Sequence, residues 1–164
     1  MEIYLLRHGI AGDAKAGMPD ADRALTDEGK KKLRAVLGVA KAAGVAPDLI
    51  LTSPLKRAAE TAKMAAQALG CGQEPVPTPA LAPDGEPETI WEEIRGHRDS
   101  KQLLLAGHEP LLSCLAAYLL GGPASMIDVK KGALVRIDVE ALGPRPRGVL
   151  RWLLTPRLAA ASPS

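Results

Sequence analysis

The chain of 164 residues has no phenylalanine, and its aromatic side chains are two tryptophans and two tyrosines. A core must therefore be built from Leu, Ala, Val and Ile, and there is almost no aromatic surface for stacking nucleobases. Charge of one sign is also missing. The formal net charge is +2, and the densest basic cluster, Lys30-Lys31-Lys32, falls inside a helical pattern and reads as a solvated face. No basic stripe remains, so no nucleic-acid partner is expected. Cysteine is scarce: Cys71 and Cys114 have neither metal-ligand nor redox spacing and read as reduced thiols. No apolar run is long enough to cross a membrane, so no membrane partner is expected. Glu2 and Arg7 break the only early apolar stretch, which argues against a signal peptide and for a cytoplasmic protein.

What is present is an ordinary globular balance, 46% apolar and 24% charged, in a length suited to one domain. The apolar run Ile3-Tyr4-Leu5-Leu6 predicts a buried strand ending in Arg7-His8-Gly9. A polar loop follows, about residues 10–25. Thr26 caps a helix whose buried stripe runs through Leu33, Val36, Leu37 and Ala40. Leu49–Thr52 predicts a second strand, and Ser53-Pro54 starts the next helix at once, with Arg57 in its first turn. A short strand near Val76 and a helix from Pro87 precede the strand Gln102–Ala106, which ends in Gly107-His108-Glu109 and another helix. Val135–Val139 and Val149–Leu154 predict an antiparallel hairpin.

Strands alternating with helices imply an α/β class: one three-layer α/β/α domain with a mostly parallel sheet and an antiparallel C-terminal hairpin strand. The domain is expected to span residues 1–155, with residues 156–164 a flexible, Ala/Ser/Pro-rich tail. Sites in such sheets lie at the carboxyl ends of strands. Three strand ends here carry unusual chemistry: Arg7-His8-Gly9, Ser53 with Arg57, and Gly107-His108. Arginine forks and helix amino termini favour phosphate oxygens, and a histidine beside them can attack phosphorus. Gly9 lets the chain turn sharply and lets a ligand approach the backbone.

Arg7-His8-Gly9, then Leu51-Thr52-Ser53-Pro54-Leu55-Lys56-Arg57-Ala58-Ala59-Glu60-Thr61, then Gly107-His108, resembles the histidine phosphatase superfamily, with its phosphoglycerate-mutase-like fold. The short length, Arg23-Ala24-Leu25-Thr26-Asp27-Glu28-Gly29, Lys131-Gly132-Ala133 and Trp152–Pro156 resemble the SixA branch of phosphohistidine phosphatases. The resemblance implies that His8 is the phosphorylated nucleophile. It implies that Arg7, Arg57 and His108 clamp the phosphoryl group, and that no metal or other cofactor is needed. It also implies a phosphate or sulfate site and a phosphorylated substrate, most naturally a phosphohistidine-bearing protein. Arg23, Gly9 and Ser53 are further candidates for substrate contact.

One departure concerns the general acid. Larger members carry a glutamate in an insertion that is missing here; the loop Leu81–Glu86 offers only Asp84 and Glu86. A leaving alkoxide needs a proton from a positioned acid, whereas imidazole is a far less basic leaving group. The alternatives are a broad phosphomonoesterase with Asp84 or Glu86 as acid, and a noncatalytic phosphate-binding module. A metal trio of His8, His97 and His108 with Asp84 or Glu86 lacks short ligand spacing and would set arginines against a cation. His97 reads instead as a packed or capping residue.

Overall fold

The computed structural model describes residues 1–123 and 127–163. Its strands are β1 (Glu2–Arg7), β2 (Leu49–Thr52), β3 (Val76–Pro77), β4 (Gln102–Gly107), β5 (Leu134–Val139) and β6 (Gly148–Leu154). Its helices are α1 (Asp27–Ala42), α2 (Lys56–Leu69), α3 (Pro87–Gly96), α4 (Leu111–Leu120) and α5 (Pro156–Ala161). Single 3-10 turns lie at Asp20–Asp22 and Pro79–Leu81. The six strands form one sheet in the order β3-β2-β4-β1-β5-β6. The first four run parallel, and β5 and β6 pair antiparallel, as the sequence predicts. Among the described residues no helix is long and apolar enough to cross a membrane.

Alternation along the strands divides the core in two. Ile3 and Leu5 of β1, with Leu103 and Leu105 of β4, face Trp91 and Ile94 of α3 and Leu112 and Leu115 of α4. Tyr4 and Leu6, with Leu104 and Ala106, face Leu33 and Leu37 of α1 and Ala62 and Ala65 of α2. The central strands β1 and β4 are thus buried on both faces, as strands covered by helices on both sides require.

Two helix starts differ from the sequence reading. The helices expected to start at Pro54 and Glu109 start at Lys56 and Leu111. The backbone before α2 is still strand-like, because Ser53 N–H donates to Ala106 O (2.9 Å) and extends the ladder. The expected flexible tail is instead largely α5. Thr155 caps it by accepting from Leu158 N–H, and Ala159 is buried in the core shared with α1. Ser164 lies outside the described residues.

The start of α1 is pressed against the loop leaving β1. A Cβ added at Gly29 would stand 2.3 Å from the Ile10 carbonyl oxygen. Gly→Ala in a helix ordinarily stabilises by up to about 1 kcal/mol. At Gly29 the sign reverses, because the obstacle is backbone. Gly29→Ala is expected to destabilise by about 1–3 kcal/mol, read from the urea midpoint.

Candidate active site

β4 lies between β2 and β1, with Thr52 paired to Ala106 and Arg7 to Gly107. The three strands therefore end level, and the next residues, Ser53, His8 and His108, fall at one edge. Here the chain order switches sides about β4, the place where open α/β sheets form their sites.

His8 is buried, and its Nδ1 lies 2.7 Å from the Gly9 carbonyl oxygen. A carbonyl only accepts, so Nδ1 carries the hydrogen and donates it. Nε2 is left with a free lone pair. The His108 ring lies 5.0 Å from the His8 ring, centroid to centroid. His108 Nε2 is 2.7 Å from Ser53 Oγ. Fully buried Ser53 thus orients His108, and its Oγ also accepts from Leu55 N–H (3.3 Å).

Arg7 donates through Nη1 to the Val129 carbonyl (2.8 Å). Arg57, only 5% exposed, donates to the Asp20 carbonyl oxygen (3.1 Å) and to Asp20 Oδ2 (3.2 Å). Among the described residues, three buried side-chain nitrogens find no partner within the chain: Arg7 Nε, Arg57 Nε and His108 Nδ1. All three belong to this one cluster. Each such group costs about 1–3 kcal/mol if nothing satisfies it. An anion seated among the two guanidiniums and the second imidazole satisfies them together.

Supporting residues close the arrangement. Thr61 Oγ1 donates to the Arg57 carbonyl (2.7 Å) and accepts from Gly9 N–H (3.2 Å), tying the first motif to α2. Glu60 Oε2 accepts from Leu25 N–H (2.7 Å) and pins the end of the long loop. Gly9 serves packing: a Cβ there would lie 2.7 Å from Leu33 Cδ1, whereas its φ is not in the left-handed region that requires glycine. Its carbonyl and amide are both engaged, to His8 and Thr61.

Other candidates stand apart from this cluster. Arg23 donates to Asp20 Oδ1 (2.8 Å) and the Gly12 carbonyl (3.2 Å), so it reaches the site through Asp20. Asp84 and Glu86 are exposed, and no hydrogen bond or ion pair among the described residues joins either to the site. His97 caps the end of α3, before β4, whereas His108 follows β4. A strand of that length separates them by about 20 Å. Among the described residues no group of three His, Cys, Asp or Glu side chains is placed to hold a metal ion. Asp20 is the residue the sequence reading missed. The hydrogen bond from Arg23 and the charge of Arg57 hold its carboxyl below the usual range, so it is a carboxylate against Arg57.

Both imidazoles are held neutral. Burial pushes His8 down to about 4; its bond to Gly9 pulls upward, and the charges of Arg57, Arg7 and Lys131 each add a smaller downward push. Burial, then the proximity of His8 and Arg57, push His108 down to about 3. A neutral His8 is a competent nucleophile at neutral pH. The same shifts bear on folding. Below pH 6.5 the unfolded imidazoles take up protons that the folded ones refuse. Stability is therefore full above about pH 6.5 and falls as the pH drops toward 4, by on the order of a few kcal/mol. Urea unfolding at about pH 7 and about pH 4.5 checks this.

A free imidazole nitrogen beside a second neutral imidazole and two arginines whose Nε–H groups lack partners, at the switch point of an α/β sheet, fits a phosphatase of the kind that uses a histidine nucleophile. The chain belongs to the histidine phosphatase superfamily: the model of its branch 1 matches residues 3–82. A protein of Picosynechococcus sp., named only as uncharacterized, is 35% identical over 138 residues, covering 82% of this chain and 83% of that one. The protein histidine phosphatase SixA, solved with tungstate, superposes with a TM-score of 0.83 at 23% identity, covering 96% of this chain and 98% of that one. Alpha-ribazole phosphatase from Shigella flexneri has a TM-score of 0.74 at 20% identity, covering 95% of this chain and 97% of that one. The likeness to both solved structures is one of fold.

Proposed function

We propose that this phosphatase hydrolyses phosphohistidine in proteins, with His8 as nucleophile and Arg7, Arg57 and His108 holding the phosphoryl oxygens. The observation that carries the reading is the set of three buried side-chain nitrogens without partners in the cluster around His8, two of them arginine Nε–H donors. The likeness in fold to SixA, solved with a phosphate-like oxyanion, supports it.

In the first step the His8 Nε2 lone pair forms a bond to phosphorus. The bond from phosphorus to the substrate nitrogen breaks, and its electron pair stays with that nitrogen. A substrate imidazole protonated on its second nitrogen leaves neutral, so no general acid is required. His8 then carries phosphoryl on Nε2 and hydrogen on Nδ1, a cation stabilised by the Gly9 carbonyl. In the second step water attacks phosphorus, the P–Nε2 bond breaks, and His8 leaves as the neutral imidazole it began as. The water protons depart with phosphate and solvent. Throughout, the guanidinium donors offset charge on the transferring oxygens.

Exposed Asp84 and Glu86 favour this reading over a phosphomonoesterase that uses either as acid. Phosphate release from a phosphohistidyl protein and from p-nitrophenyl phosphate, measured side by side, tests it. The phosphoprotein is expected to turn over faster, and Asp84→Asn with Glu86→Gln to leave its rate within about twofold. Faster ester turnover, or a loss of several orders of magnitude in the double variant, would select the phosphomonoesterase. Phosphate binding without His8-dependent release would select a binding module.

A further inference from the structure

Beside the site lies an open basin of about 580 Å³ that none of these steps uses. Five cationic side chains line it: Arg7, Lys32, Lys130, Lys131 and Arg157. Two exposed acids answer them, Glu28 paired with Lys32 (3.1 Å) and Asp128 paired with Lys130 (2.7 Å). Exposed pairs of this kind hold each other weakly and exchange readily. Among the described residues Lys131 and Arg157 form no ion pair, and Arg7 meets only a backbone carbonyl. The surplus of positive charge is local, since the whole chain carries only +2.

We infer that this basin docks an acidic segment of the protein that carries the phosphorylated residue, an inference resting on the function proposed above. Three observations support a protein occupant. Arg7 belongs to both the phosphoryl site and the basin, so a chain presenting phosphate to His8 runs on into it. The lysines and Arg157 are solvent-exposed heads on flexible stems, suited to carboxylates on another surface and not to enclosing a small anion. Ile10 and Pro156 provide an apolar floor for the stems of acidic side chains. Nucleic acid is disfavoured, because the basin presents no aromatic face for a base.

The test uses the full chain and two labelled peptides, one aspartate-rich and one serine-rich, followed by fluorescence anisotropy at low ionic strength. The aspartate-rich peptide is expected to bind about tenfold tighter, and added salt to erase the difference. The variant Lys32→Glu/Lys130→Glu/Arg157→Glu is expected to abolish that preference while hydrolysing p-nitrophenyl phosphate at the wild-type rate, which also reports that it folds. Phosphohistidine peptides with the same two flanks should show the same preference in kcat/KM. Equal binding of the two peptides, or a preference that survives the triple variant, would overturn the inference. So would a single-stranded oligonucleotide that binds as tightly and loses affinity in the same variant. If the acidic preference is present and lost as expected but neither phosphopeptide is hydrolysed, the docking basin stands and the phosphohistidine substrate falls.

Discussion

His8→Asn is expected to lower phosphate release by about four orders of magnitude or more while leaving the protein folded. Asparagine is the informative replacement. Its side-chain amide can stand where Nδ1 stands and donate to the Gly9 carbonyl, which now accepts from His8 at 2.7 Å. What it lacks is Nε2, the His8 nitrogen whose lone pair is free for phosphorus. The variant therefore separates the nucleophile from the hydrogen bond that holds the turn. The acid-labile, base-stable phosphoenzyme expected of the wild type should be missing from it. Orthophosphate should still bind, because Arg7, Arg57 and His108 keep their unpartnered donors. The variant should also lose less stability on acidification, since one of the two buried imidazoles that resist protonation is gone. Turnover within about tenfold of wild type, or a phosphoenzyme in the variant, would show that phosphorus is attacked by another group.

Much of this architecture is legible in the sequence because strand runs, caps and helix stripes are local signals. Leu103, Leu104 and Leu105 are all buried, and an uninterrupted apolar run states as much. The convergence of the three chemical strand ends follows from the sequence because a parallel sheet puts its carboxyl ends at one edge. Side-chain partners across the fold leave no such trace. Arg7 reaches the carbonyl of Val129, 122 residues away, and any residue at that position supplies a carbonyl. Asp20 meets Arg57 across 37 residues from a loop without period, where it is one of several acids. The signal that was there is the Asp20–Arg23 spacing, which suits a local ion pair and thus a turn with its charges organised. The C-terminal segment fails for another reason. Its Ala-rich composition reads as a tail, yet alanine is the best helix former, and Thr155-Pro156 is a cap followed by proline at the first helical position.

Arg57→Ala is expected to lower kcat/KM by about a thousandfold and to weaken inhibition by orthophosphate in parallel. The guanidinium sits in the first turn of α2, nearly enclosed, with Nε unpartnered and the two terminal nitrogens on Asp20. An incoming phosphoryl group meets the Asp20 carboxylate at that fork, so only a group with donors to spare can hold both. Arginine has five N–H bonds in a fixed plane; lysine has three on one nitrogen at the end of its stem. Arg57→Lys is therefore expected to recover less than about tenfold of the loss. The scaffold should survive either change, because Thr61 donates to the backbone carbonyl of residue 57 and not to its side chain. A purely structural role is separated by the pH profile. The charge of Arg57 lowers the pKa of both His8 and His108, so its removal must raise both. The acid limb of kcat/KM, expected near pH 4 in the wild type if protonation of His8 sets it, should then move to higher pH in Arg57→Ala and stay close to its wild-type position in Arg57→Lys, which keeps the charge. An unmoved limb in the alanine variant, or full activity in the lysine variant, would show that the positive charge or the planar fork at this position is not what holds the phosphoryl group.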